Sequence, residues 1–251
     1  MKKLFDNKPV TFAVIWIVVY VVGFGSAGLQ TETPWLNYAI QTAVGLLIAG
    51  IPLTFAKKHG LGKYWGLSAP QTGAREMLYY IPFFAACTAN LWLGTGRREA
   101  TAAATLTGVL AIGVIAPFLE ELILRSILFR AIGRDSRRRA FWFASLSFGL
   151  GHAVNLLYGR ALAETLVQIA FACCFGFCAA AMLYIGRSLV IPTAGHMLFN
   201  TLSFFGRQDA PPLPDLLSIA VCSAILVAYG CFLLHTHRDT HPLSAEPLDP
   251  A

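Results

Sequence analysis

Apolar stretches of near-uniform length recur along this sequence, and they constrain its fold more than any other feature. Eight can be read, over residues 10–29, 37–56, 77–95, 103–130, 140–157, 163–185, 188–206 and 214–234. Each approaches the ~20 residues with which a helix crosses a ~30 Å hydrocarbon layer. Inside a bilayer only helices and closed barrels satisfy their own backbone polar groups, and apolar runs of this length select the helix. Charged residues make up 13% of the chain, about half the ~25% usual in soluble domains. The expected fold is all-α: a polytopic membrane protein of about eight transmembrane helices enclosing an intramembrane polar cavity. It is expected to form a single domain over residues 1–251, with a polar C-terminal tail from 235 to 251. The fifth and seventh runs are the shortest, so helices there are expected to be tilted, broken or shielded by neighbours.

The net charge of +6 does not point to nucleic acid, because basic residues of membrane proteins collect in cytoplasmic loops. With a cytoplasmic N-terminus, that side holds Lys2, Lys3, Lys8, Lys57, Lys58, Lys63, Arg75, Arg130, Arg134, Arg137, Arg138, Arg139, Arg187 and Arg238. The other side holds Arg97, Arg98, Arg160 and Arg207. The asymmetry implies that both termini are cytoplasmic. Met1-Lys2-Lys3 followed by an apolar run mimics a secretory signal, but the run from Val10 to Gly25 reaches or exceeds the ~7–15-residue core of such signals. A retained first span is expected. The six cysteines lie in apolar segments with no CxxC pair, which suits packing better than disulfides or a metal site. His235, His237 and His241 read as part of a solvated end rather than a metal site.

The fourth run breaks the apolar pattern with Glu120, Glu121 and Arg125. A charged side chain near a bilayer centre costs at least ~2.5–3.5 kcal/mol on insertion scales, so three together need partners or a purpose. Glu121 and Arg125 are four apart and share a helix face, the spacing of a natural ion pair. Glu120 is rotated about 100° from its neighbour and points elsewhere. The fifth run carries Phe148 and His152, and the seventh carries His196 and Asn200, again four apart. Counted from the expected cytoplasmic boundary at 1.5 Å per residue, Glu120, His152 and His196 lie at depths of ~15, ~18 and ~12 Å. Three ionisable groups on three helices at one level suggest a shared polar cavity.

The set Glu120-Glu121-xxx-Arg125, Phe148-xxx-His152 and His196-xxx-Asn200 resembles the signature of the CPBP intramembrane proteases, which include the type II CAAX prenyl endopeptidases and the bacterial Abi-type proteins. All three motifs are present, in order and without substitution, between residues 120 and 200. The resemblance implies an intramembrane endopeptidase in a bacterial inner membrane, acting on a membrane-tethered or transmembrane peptide, prenylated CAAX tails among them. It implies Glu120 as general base holding water with His152, His196 and Asn200 as donors to the oxyanion, and Glu121, Arg125 and Phe148 in support. A carboxylate in a low-dielectric pocket suits that chemistry.

Glu120, His152 and His196 also compose a His₂Glu set of the kind that holds catalytic zinc. HExxH is absent, and the family includes readings with and without a metal, so zinc stays open and the favoured reading has no obligatory metal. Two other functions compete: a non-catalytic immunity or scaffold protein of Abi type, and a proton-coupled transporter, for which intramembrane Glu, His and Arg would serve as a relay. The sequence carries no internal repeat of the kind common among transporters.

Overall fold

The computed structural model describes residues 1–29, 31–96, 100–207, 209 and 211–243. Arg97, Arg98 and the tail beyond residue 243 lie outside them. Among the described residues the chain is helical, with no strand beyond one isolated bridge between Thr95 and Gly206. Six helices are long and apolar enough to cross a membrane: α1 (Pro9–Ala27), α2 (Pro34–Lys58), α4 (Ala102–Gly133), α5 (Arg137–Tyr158), α6 (Leu162–Gly186) and α8 (Pro212–Thr236). Among the described residues there are also the shorter helices α3 (Ile81–Cys87) and α7 (Val190–Leu202), and a six-residue helix, Lys2–Asn7, that precedes α1.

Sequence chemistry sets several boundaries. Proline stands at the start of α1, α2 and α8, where its missing N–H costs nothing. Thr101 and Ser136 cap α4 and α5, each hydroxyl accepting a backbone N–H three residues on, as N-caps do.

Of about eight spans expected, six are full-length helices among the described residues, and the other two apolar runs hold only short helices. The fifth apolar run is long after all, its final stretch His152–Tyr158 winding as a 3-10 helix. The third is the broken one. Leu78, Tyr79 and Tyr80 take φ of 48°, 52° and 60°, left-handed values that cost an L-residue ~1–2 kcal/mol each. They postpone the helix to Ile81, and Thr88 already ends it. Hydrogen bonds hold the strained turn: Tyr79 N–H donates to Ala74 O at 2.7 Å, and the Tyr229 hydroxyl to Met77 O at 2.6 Å. In the seventh run, α7 spans only Val190–Leu202, ~20 Å at 1.5 Å per residue.

Both short segments link the same two rims as the long helices. On one rim Ser188 Oγ donates to Ser68 O at 2.6 Å, the Tyr64 hydroxyl to Arg130 O at 3.4 Å, and Arg134 Nη1 to Asp6 O at 3.0 Å. On the other, Gly96 N–H donates to Phe205 O at 3.1 Å and Arg207 N–H to Gly94 O at 3.2 Å.

Two apolar clusters form the interior. One gathers α3, α5, α6 and α8 around Phe83, Phe141, Phe175 and Met182. The other gathers α1, α2 and α4 around Phe12, Phe55, Trp65 and Leu122. Leu124 and Ile132 of α4 pack against both, so α4 runs between them, and its charged residues fall at the junction. The C-terminal end also differs from expectation. α8 continues to Thr236, and His237 is buried, its Nδ1–H donating to Leu233 O at 3.0 Å.

Candidate active site

The two glutamates of α4 part ways. Glu121 and Arg125 are both fully buried and paired, Arg125 Nη1 donating to Glu121 Oε1. The guanidinium lies over the Phe148 ring, with Cζ 4.0 Å from its centroid, and 5.7 Å from that of Phe175. Those aromatic faces supply cation–π attraction where water is absent. Room for the guanidinium comes from α6: a Cβ on Gly176 would stand 2.5 Å from Ser145 O and 3.4 Å from Arg125 Nη2. Glycine there lets α5 and α6 close on each other, as small residues do in membrane bundles.

Glu120 instead keeps 19% of its side chain exposed. The Tyr20 hydroxyl of α1 donates to Glu120 Oε1 at 2.5 Å. Glu120 Oε2 is 3.6 Å from His196 Nε2, and His196 Nδ1 is 2.9 Å from Glu121 Oε1. His196, 5% exposed, thus stands between both carboxylates. Glu121 Oε1 accepts from Arg125 and so accepts the Nδ1–H of His196 as well. The neutral imidazole then turns its Nε2 lone pair towards Glu120 and becomes a donor there only when protonated.

His152 lies at the junction where α5 tightens into its 3-10 end. Its Nδ1–H donates to Phe148 O at 2.9 Å, which leaves Nε2 as the acceptor. The Phe148 ring meets His152 and His196 edge to face, each at 5.3 Å between centroids. One phenylalanine therefore orients both histidines and carries the arginine on its face. Asn200 is engaged elsewhere: its amide donates to Ile112 O at 3.2 Å, eight residues before Glu120 and ~12 Å along α4.

The backbone of α4 is irregular around these groups. π-turns at Val109–Ile115 and Glu121–Leu128 flank a regular turn, Ala116–Glu120. Pro117 lacks the N–H that would bond the carbonyl of Gly113, and wide turns of this type are frequent at functional sites.

Tyr20 is the residue the sequence reading missed. Its signal was a lone phenol in the aliphatic second half of the first apolar run, which needs a hydrogen-bond partner when it leaves water.

Glu120, His152 and His196 offer donor types that zinc accepts. Among the described residues, however, no three His, Cys, Asp or Glu side chains are gathered as a metal site.

Comparison with known families matches residues 102–202 to the Rce1-like type II CAAX prenyl endopeptidases. No curated protein and no solved structure matches the chain. The matched stretch starts with the first residue of α4 and ends with the last of α7, so it takes in the glutamates and both histidines but not Tyr20. Over this segment the chain is similar to the CPBP/CAAX protease family, which agrees with the order of its Glu, His and Asn motifs.

Proposed function

We propose that the protein is an intramembrane endopeptidase in which Glu120 activates a water molecule against a peptide bond of a membrane-tethered or transmembrane substrate. One observation carries this reading: of two adjacent glutamates, Glu121 is sealed against Arg125 while Glu120 stays partly open between the Tyr20 hydroxyl and His196. A general base needs both a fixed orientation and access to its proton source.

In this mechanism Glu120 takes a proton from water as the oxygen bonds to the scissile carbonyl carbon. The Nε2 lone pair of His152 helps to orient that water. As the tetrahedral adduct collapses, the carbon–nitrogen bond breaks and Glu120 returns its proton to the leaving amine. His196, held by Glu121 through Nδ1, donates from Nε2 to the oxyanion when it is protonated. Asn200 supplies a second donor if its amide turns from Ile112 O. Such donors act strongly where water is excluded.

An apolar cavity of about 280 Å³ lies between α4 and α7, lined in part by Phe118, Leu122, Leu189, Thr193 and Met197. Its walls come in part from α4 and α7, the helices that carry Glu120 and His196, and it suits an aliphatic side chain or isoprenoid of the substrate. The cytoplasmic orientation expected from the basic loops would bring prenylated CAAX tails to the site from that face. The whole chain, 1–251, acts as one domain in this reading, with Tyr20 reaching the site from outside the matched segment.

The test is hydrolysis of a prenylated reporter peptide in detergent, in water enriched in oxygen-18. One heavy oxygen in the new carboxylate shows that water is the final acceptor of the cleaved acyl group, as hydrolysis requires. Full turnover after exhaustive chelation supports the metal-independent form, whereas loss restored by zinc assigns a metal. No cleavage of any prenylated or transmembrane reporter leaves the scaffold reading.

A further inference from the structure

A second cluster of charge lies at the far end of α4, ten residues past Glu120 and ~15 Å along the axis. Arg130 is 6% exposed and its Nε has no hydrogen-bond partner among the described residues. Its guanidinium stands 5.4 Å from the Tyr64 ring centroid and 5.7 Å from that of Phe129. It lines a cavity of about 60 Å³ together with Arg137, Leu183, Arg187, Thr240 and His241. Burial, then the positive charge of Arg187, His237 and Arg137, holds His241 below the usual histidine range. Among the described residues, carboxylates on this rim have other partners: Glu76 is 3.8 Å from His237, Asp135 3.9 Å from Arg139, and Asp239 3.8 Å from Arg238.

We propose that this cavity is an anion site for a phosphate group, carried either by the headgroup of an anionic lipid or by free phosphate. A buried guanidinium is costly without an anionic partner, and the positive charge of Arg187 beside it adds repulsion. A phosphate oxygen against the part of Arg130 that lines the cavity offsets both, because guanidinium groups match phosphate geometry. The space admits about two waters at ~30 Å³ each, the size class of one compact oxyanion. The site opens at the end of membrane-spanning helices on the arginine-rich rim, where basic pockets between helices take lipid headgroups.

The test uses the full chain in neutral detergent and follows thermal unfolding in two arms. One titrates phosphatidylglycerol against phosphatidylcholine; the other titrates inorganic phosphate against chloride at equal ionic strength. Saturable stabilisation in either arm is expected: by phosphatidylglycerol alone if the site reads a headgroup, by phosphate as well if it takes the free ion. Arg130→Gln should abolish the effect but disturbs a buried side chain, so Arg187→Gln, at an exposed position, is the decisive variant. It should weaken binding about fivefold, the loss expected of one basic residue near an anionic surface. No saturable shift in either arm, or an unchanged midpoint in Arg187→Gln, overturns the proposal. So does a response that appears only after Glu246→Gln and Asp249→Asn are introduced together, since the chain would then supply its own anion.

Discussion

The Tyr20 hydroxyl donates to Glu120 Oε1 at 2.5 Å across one hundred residues of sequence. This bond ties α1, which lies outside the family match, to the carboxylate proposed to do the chemistry. Tyr20 also stacks on Phe24 with ring centroids 5.5 Å apart, a contact that phenylalanine would keep. A hydrogen bond to a charged group contributes about 1.5–3 kcal/mol. Tyr20→Phe is therefore expected to lower kcat/KM roughly tenfold or more, with little change in thermal midpoint. Steady-state cleavage assays beside a melting curve check this, and unchanged kcat/KM would remove Tyr20 from the account.

The buried Glu121–Arg125 pair makes a different prediction. Removing one partner of a buried ion pair costs about 3–5 kcal/mol, because it strands the other charge, whereas removing both is often near neutral. Arg125→Met should lower the thermal midpoint markedly. Glu121→Gln combined with Arg125→Met should recover much of that loss without restoring activity, since His196 would lose its anionic partner. A double variant no more stable than Arg125→Met would contradict the pairing.

Gly176 is the point at which α5 and α6 come closest to the arginine. A methyl group there would meet Ser145 O at 2.5 Å, well inside contact distance, so the helices must part. Overpacking of this kind typically costs about 1–3 kcal/mol. Gly176→Ala is expected to destabilise the protein by that order and to reduce turnover, as read by melting and by product formation.

Acid should act on the Arg130 rim. His241 has a folded-state pKa below its ordinary value, chiefly through burial and then through Arg187, His237 and Arg137. The unfolded chain therefore binds the proton more readily, and stability falls as pH drops through about 6.5 towards the lowered value. His241→Asn should flatten that part of the stability–pH profile. A bound phosphate should flatten it too, by favouring the charged imidazole. An unaltered slope in the variant would assign the acid sensitivity elsewhere.

The sequence carried the helical membrane class, because hydropathy registers which residues avoid water. It also carried the pairing of Glu121 with Arg125, because a four-residue spacing joins them and leaves Glu120 on another face. It did not show that His196 would touch both carboxylates, since depth counting gives height along a helix and not rotation towards a neighbour. Asn200 illustrates the same gap: sharing a face with His196 did not prevent its amide from turning to Ile112 O. The broken third run was hidden because left-handed backbone at Leu78, Tyr79 and Tyr80 leaves no mark on hydropathy. Tyr20 was hidden because a single phenol in the middle of an apolar run does not say which of the later helices carries its hydrogen-bond partner.

The central claim is that Glu120 is the working carboxylate. It is tested most directly by comparing prenylated-peptide cleavage by the wild-type protein and Glu120→Gln, purified in the same detergent at matched thermal midpoint. Replacing a general base should reduce turnover at least ~100-fold, while the amide preserves size and the contact with Tyr20. Cleavage by Glu120→Gln at the wild-type rate, from protein of equal stability, would contradict the account and return both glutamates to a structural role.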